Sequence, residues 1–270
     1  MLAAFNLNSC LIEDPVVRPR LFNFNERTGH VLAAEDNFLQ DDLNSLHAYS
    51  SEKMLKIKES KTQIMKFNSA KTLDFPPELY IEGFSDLLEV TRETKLLGLM
   101  VTDDLKWEAN TNYICAKAYK KMWTLRRMKV LDLEPYVMLD VYAKEIRSLL
   151  ELAVPAWHSG LTKHQQATIE RVQKVAVSVI LSDSNTGICD YSYDMALVIL
   201  DLEPLDVRRE KLCGKFANQT LKSRHGDMFK HNQNLHYTRA KSKFFKNRCN
   251  TKRFYNSPLN YLTRLLNSLP

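Results

Sequence analysis

Phosphoryl transfer on nucleic acids needs two metal ions held a few ångström apart by carboxylates. Adjacent acidic residues are therefore the first chemistry to seek in this chain. Two Asp-Asp pairs occur, Asp41-Asp42 and Asp103-Asp104. The first lies inside a helical pattern. A helix turns about 100° per residue, so the two carboxylates diverge instead of sharing an ion. The second sits in turn chemistry after an apolar run. Other reactive side chains form no constellation. His158 and Ser159 are sequence neighbours, which does not make them a nucleophile and its base. His225, His231, His236 and Cys249 lack the close pairwise spacing of a zinc site. No glycine-rich phosphate cradle of either common type is present.

Cations at helical spacing are more informative. Lys117, Lys121 and Arg126 read as one phosphate-facing stripe. Arg171 and Lys174 extend it from a neighbouring helix. Lys120, Arg127 and Lys129 crowd the same segment. The chain as a whole carries only +6. Between Arg208 and Tyr255, however, fourteen basic residues face two acidic ones, Glu210 and Asp227, a local net of +12. That is either an electrostatic footprint for phosphate backbones or a solvated face balanced by the acidic remainder.

These groups need elements to hold them. The 270 residues, 44% hydrophobic, suffice for one large or two small domains with a real core. Residues 1–34 are irregular, broken by Pro15, Pro19 and Gly29. Asn37 caps a helix carrying Phe38, Leu39, Leu43, Leu46 and Tyr49. Leu55–Lys58, Gln63–Phe67, Leu79–Ile81, Leu87–Thr91 and the buried run Lys95–Val101 read as strands. One helix on a small antiparallel sheet is the expectation for 35–107. Helices then follow over Tyr113–Lys129, Pro135–Ala153, Thr162–Leu181, Tyr193–Leu200 and from Pro204. Trp107 and Trp123 are expected as core aromatics. Met228–Pro258 reads as an extended basic arm, with a last amphipathic turn or two around Tyr261–Leu266. The fold class is α+β, divided as 1–34, 35–107, a helical bundle 108–185 and a basic C-terminal extension 186–270.

Five cysteines without a close pair suit free thiols in a reducing compartment. No apolar run approaches the ~20 residues of a membrane span, and no secretory leader is recognisable. Secretion and a membrane partner are not expected.

Five short words occur in one order: Lys-Leu-Leu-Gly (95–98), Thr-Asp-Asp-Leu-Lys-Trp (102–107), Leu-Arg-Arg-Met (125–128), Pro-Ala-Trp-His-Ser-Gly-Leu-Thr (155–162) and Ile-Glu-Arg-Val-Gln-Lys (169–174). Together they resemble the reverse transcriptases of non-long-terminal-repeat retrotransposons. The resemblance runs from about residue 11 to the end. It implies the end of a palm, a primer grip, a thumb and a helical extension. Lys95 and Gly98 then correspond to the primer grip, Gly98 letting the backbone approach a primer strand. Lys61, in Ser60-Lys61-Thr62, matches the palm lysine. The usual asparagine three positions before it is Lys58 here.

In the family the catalytic Asp-Asp follows an aromatic by two positions and lies shortly before the segment resembling Pro15–Arg20. Neither pair here has that aromatic. The resemblance therefore implies a truncated polymerase without its metal ligands: no catalytic residue beyond Lys61, no metal and no cofactor, Mg2+ belonging only to full-length relatives. RNA or an RNA–DNA hybrid is the implied partner, and an intracellular compartment, cytoplasmic or nuclear, follows only from the resemblance. The alternatives are a helical nucleic-acid-binding module reused without enzymatic activity, and a relic with no selected function.

Overall fold

The computed structural model describes residues 36–58, 62–65, 67, 79–81, 87–183, 187, 189–231 and 243–268. Lys61 lies outside them, as does everything expected of residues 1–34. The chain is α+β; about 62% of the described residues are helical, and among them the strands fall before Trp107. Two compact units are present, Met1–Lys106 and Trp107–Pro270.

The first unit opens with α1, Asp36–Glu52, which starts one residue before the expected cap Asn37. Its Leu43 packs with Ile64, Leu79, Ile81 and Leu88 in a small apolar core edged by Ile57. The expected antiparallel sheet is present as a hairpin further along the chain, and beside this core the described strands run parallel. Strands β1, Gln63–Ile64, and β2, Glu89–Val90, form a two-residue parallel pair. Leu55–Lys58 is not a strand. Nor is Leu79–Ile81, although Leu79 and Ile81 are buried. The reason is a side chain. The Gln40 amide donates to the Tyr80 carbonyl at 2.8 Å and accepts from the Tyr80 N–H at 3.2 Å. It thus takes the place of a neighbouring strand.

Lys95–Val101 is also not one strand. It is the tip of a hairpin between β3, Glu93–Leu96, and β4, Leu99–Thr102, with Leu96 opposite Leu99. Leu97 and Gly98 make the turn at φ 48° and 90°. Two positive φ values in a two-residue loop are the signature of a type I′ turn. Leu97 hides that turn from a sequence reading, because a leucine pays for left-handed backbone and here stands 79% exposed.

The second unit is helical. Helix α2, Glu108–Val130, lies along α6, Lys163–Leu181. Between them run α3, Pro135–Val141, a π-helical stretch Tyr142–Arg147, and α4, Ser148–Glu151. Pro135 occupies the first turn of α3, where its missing N–H costs nothing. Pro155 starts a short helix, α5, Val154–Trp157, instead of only ending the previous one. Thr162 caps α6 through a reciprocal capping box with Gln165. Helices α7, Tyr193–Ile199, and α8, Leu205–Leu221, follow. The core is built from Ile114, Ala118, Met122, Leu125, Met138, Ile146, Leu150, Trp157, Ile169, Val172, Ala176 and Ile180, all buried.

A polar network runs from this core, where Gln173 and Tyr142 are buried, out to the surface. Gln173 of α6 accepts from the Tyr142 hydroxyl at 2.6 Å. Its own amide donates to the Tyr193 hydroxyl at 2.9 Å and the Glu203 carbonyl at 3.0 Å. Glu170 accepts from the Tyr193 hydroxyl and from the N–H of Leu205. Burial pushes both tyrosine hydroxyls well above their ordinary pKa.

The basic arm expected over Met228–Pro258 is partly tied down. Phe229 and Phe244 are buried, their rings 6.2 Å apart edge to face. Helices α9, Lys252–Tyr255, and α10, Pro258–Ser268, end the unit, α10 packing on α8. Asn267 of α10 holds Phe244 by both backbone groups, accepting from its N–H at 2.8 Å and donating to its carbonyl at 3.0 Å. Two aromatics separated by a polar stretch carry no periodicity, so the sequence reads as loose.

Candidate nucleic-acid interface

Helix α2 buries Asn110, Thr111, Ile114, Cys115, Ala118, Met122 and Leu125. Steps of three and four put these on one side. The opposite side must face water, and it carries the cations. Glu108 in the first turn and Arg127 and Lys129 in the last suit the helix dipole. Glu108 is also the only acidic residue of α2. Lys117, Lys120, Lys121, Arg126 and Arg127 are all exposed. Lys129 is turned inward and donates to the Ile180 carbonyl of α6 at 3.2 Å.

The expected stripe of Lys117, Lys121 and Arg126 does not exist as one line. Lys117 and Lys121 are one turn apart. Arg126 follows Lys121 by five residues, which on a continuous helix is about 140° round the axis. Lys121 is also engaged, at 2.8 Å from Glu145. The ammonium of Lys121 lowers the pKa of that carboxyl by hydrogen bond and charge. Lys117 lies 5.3 Å from the centre of the Tyr113 ring.

The centre of the outward face is Trp123. It was expected in the core and is 66% exposed; Trp157 is the buried indole, donating to the Leu152 carbonyl at 2.8 Å. Around Trp123, at the helical neighbour positions, stand Tyr119, Lys120, Arg126 and Arg127, every one exposed. Three cations and a second ring thus surround an open indole. The signal was in the sequence: charged residues three before and three and four after a tryptophan do not share a core face with it.

Arg171 and Lys174 are exposed on α6, Lys174 with its ammonium 4.8 Å from the Tyr193 ring centre. Lys95 is exposed on β3, and Gly98 occupies the hairpin turn. Both belong to the other unit.

The aspartate pairs have separate fates. Asp41 and Asp42 are exposed on α1. Asp104 organises the turn after β4. It accepts from the Thr102 hydroxyl at 2.8 Å and the Lys106 N–H at 3.0 Å, and its other oxygen lies 2.8 Å from the Lys106 ammonium. The bond to Lys106, with these others, holds its pKa at about 2. Among the described residues no three His, Cys, Asp or Glu side chains come together as a metal site, and no helix is long and apolar enough to cross a membrane. The four described cysteines are free thiols. Burial raises Cys115 to about 11 and Cys213 to about 12, so neither is a thiolate nucleophile at neutral pH.

No protein-family model, no curated protein and no solved structure matches this chain.

Proposed function

We propose that this chain is a nucleic-acid-gripping module of reverse-transcriptase type, holding RNA or an RNA–DNA hybrid by its phosphates without reading sequence. The observation that carries this is the outward face of α2, where Lys120, Arg126 and Arg127 are exposed around Trp123 and the helix has no acidic residue beyond its first turn. Such a face attracts a polyanion through charge and counterion release, the sequence-independent part of nucleic-acid binding. The order of short words resembling the retrotransposon enzymes supports the same reading. Gripping is assigned to the chain; phosphoryl transfer is not.

The test is fluorescence anisotropy with a labelled RNA–DNA hybrid across a salt series. Affinity is expected to fall steeply and linearly on a log–log plot. In the double variant K120E/R127E, binding weakens for all sequences alike, and the slope drops by roughly one for each phosphate the face no longer neutralises. Absence of binding at low salt would falsify the reading.

A further inference from the structure

Charge explains the cations of α2 but not the indole among them. A tryptophan left two-thirds exposed forgoes the burial that usually stabilises so large an apolar side chain. We propose that Trp123 is a stacking platform for an unpaired base, so that the face prefers single-stranded nucleic acid over a duplex. This rests on the polyanion reading above and names its ligand more narrowly.

The geometry of α2 supports it in three ways. Trp123 lies two turns inside the C-terminal end of a 23-residue helix whose inner side is fixed in the core by Ala118, Met122 and Leu125. Its backbone is therefore held, and a ring on it is presented without further ordering. Lys120 and Arg127, a turn before and a turn after, are placed to take the phosphates on either side of a stacked nucleotide, and Arg126 flanks the ring. Tyr119, exposed one turn back, offers a second ring on the same side. A duplex hides its base faces and shows this surface only phosphates and groove edges. A single strand shows both phosphates and π-faces, and a basic track with interleaved aromatics is the arrangement that binds both. An apolar protein partner fits less well, because three of the ring's four helical neighbours, Lys120, Arg126 and Arg127, are cations.

The experiment uses the full chain and three labelled probes of equal length: oligothymidylate, an abasic oligonucleotide of the same phosphate charge, and an RNA–DNA hybrid. Anisotropy gives affinities, and tryptophan fluorescence reports on the ring's surroundings. Oligothymidylate is expected to bind roughly 5- to 100-fold tighter than the abasic strand, the range for one stacked base, and to quench the exposed indole. Trp123→Ala should remove most of that gap, the affinity for oligothymidylate falling several-fold more than that for the abasic strand, and Trp123→Phe should restore part of it. Equal binding of base-bearing and abasic strands by the wild-type chain overturns the stacking assignment and leaves the charge-based reading standing. Failure to bind any of the three removes both. Trp123-dependent capture by phosphatidylserine vesicles, with no oligonucleotide binding, overturns it in favour of a membrane surface.

Discussion

Arg209 lies wholly inside the helical unit, with no exposed surface. Its Nε donates to His158 Nδ1 at 3.4 Å, while neither terminal nitrogen has a hydrogen-bond partner among the described residues. A buried, half-satisfied cation costs stability, and an apolar side chain of similar length often does no worse. Arg209→Met is therefore expected to lie within about 1 kcal/mol of wild type, or above it, by urea denaturation; a drop of several kcal/mol would show that the guanidinium is fully compensated. His158 follows from the same site. Burial first, and the Arg209 charge second, hold its pKa at about 4, below the ordinary 6.5. Between those values the unfolded chain binds a proton that the folded chain refuses, so stability falls as pH drops from 6.5 towards 4 and levels off below. His158→Gln should flatten that part of the profile. Arg209→Met should narrow it without abolishing it, because burial is the larger cause. If wild type and His158→Gln decline in parallel over this window, the assignment fails.

At the scale of elements, the hairpin β3–β4 carries a testable flaw. Leu97 sits at φ 48° in the first position of its turn, where Asn is the favoured residue before Gly. Leu97→Asn should raise the stability of the first unit by about 0.5–1 kcal/mol, since a left-handed leucine costs about that much or more. A lower thermal midpoint would mean that the Leu97 side chain makes an interaction this conformation serves. Gly160 makes a different demand. A Cβ there would come within 2.7 Å of the Trp107 ring, so Gly160→Ala should cost about 1–3 kcal/mol by forcing α2 and the turn before α6 apart. An unchanged melting temperature would show that the indole yields freely.

At the scale of the whole molecule, Trp107–Pro270 has its own core and its own polar network. Expressed alone it should melt cooperatively near the parent's main transition; a non-cooperative melt would mean it depends on the first hundred residues. Much of this unit was legible beforehand. Helical period located α2, α6, α7 and α8. Thr162 and Pro135 marked two starts, because capping and a missing N–H act on one turn and depend on nothing distant. The cations of α2 were legible as residues, though not as a surface. The sequence by itself therefore determined where helices lie, the α+β character, and that one helix is rich in lysine and arginine. Tertiary structure decided what pairs with what. Gln40 took the strand partner's place at Tyr80, Leu97 and Gly98 folded an apolar run into a hairpin, and Asn267 gathered Phe244 from a stretch without period. It also decided that Met122 and Leu125 face inward while Trp123 between them faces out. Each of these rests on a partner or a packing direction supplied from elsewhere in the chain, and local propensity contains no record of it.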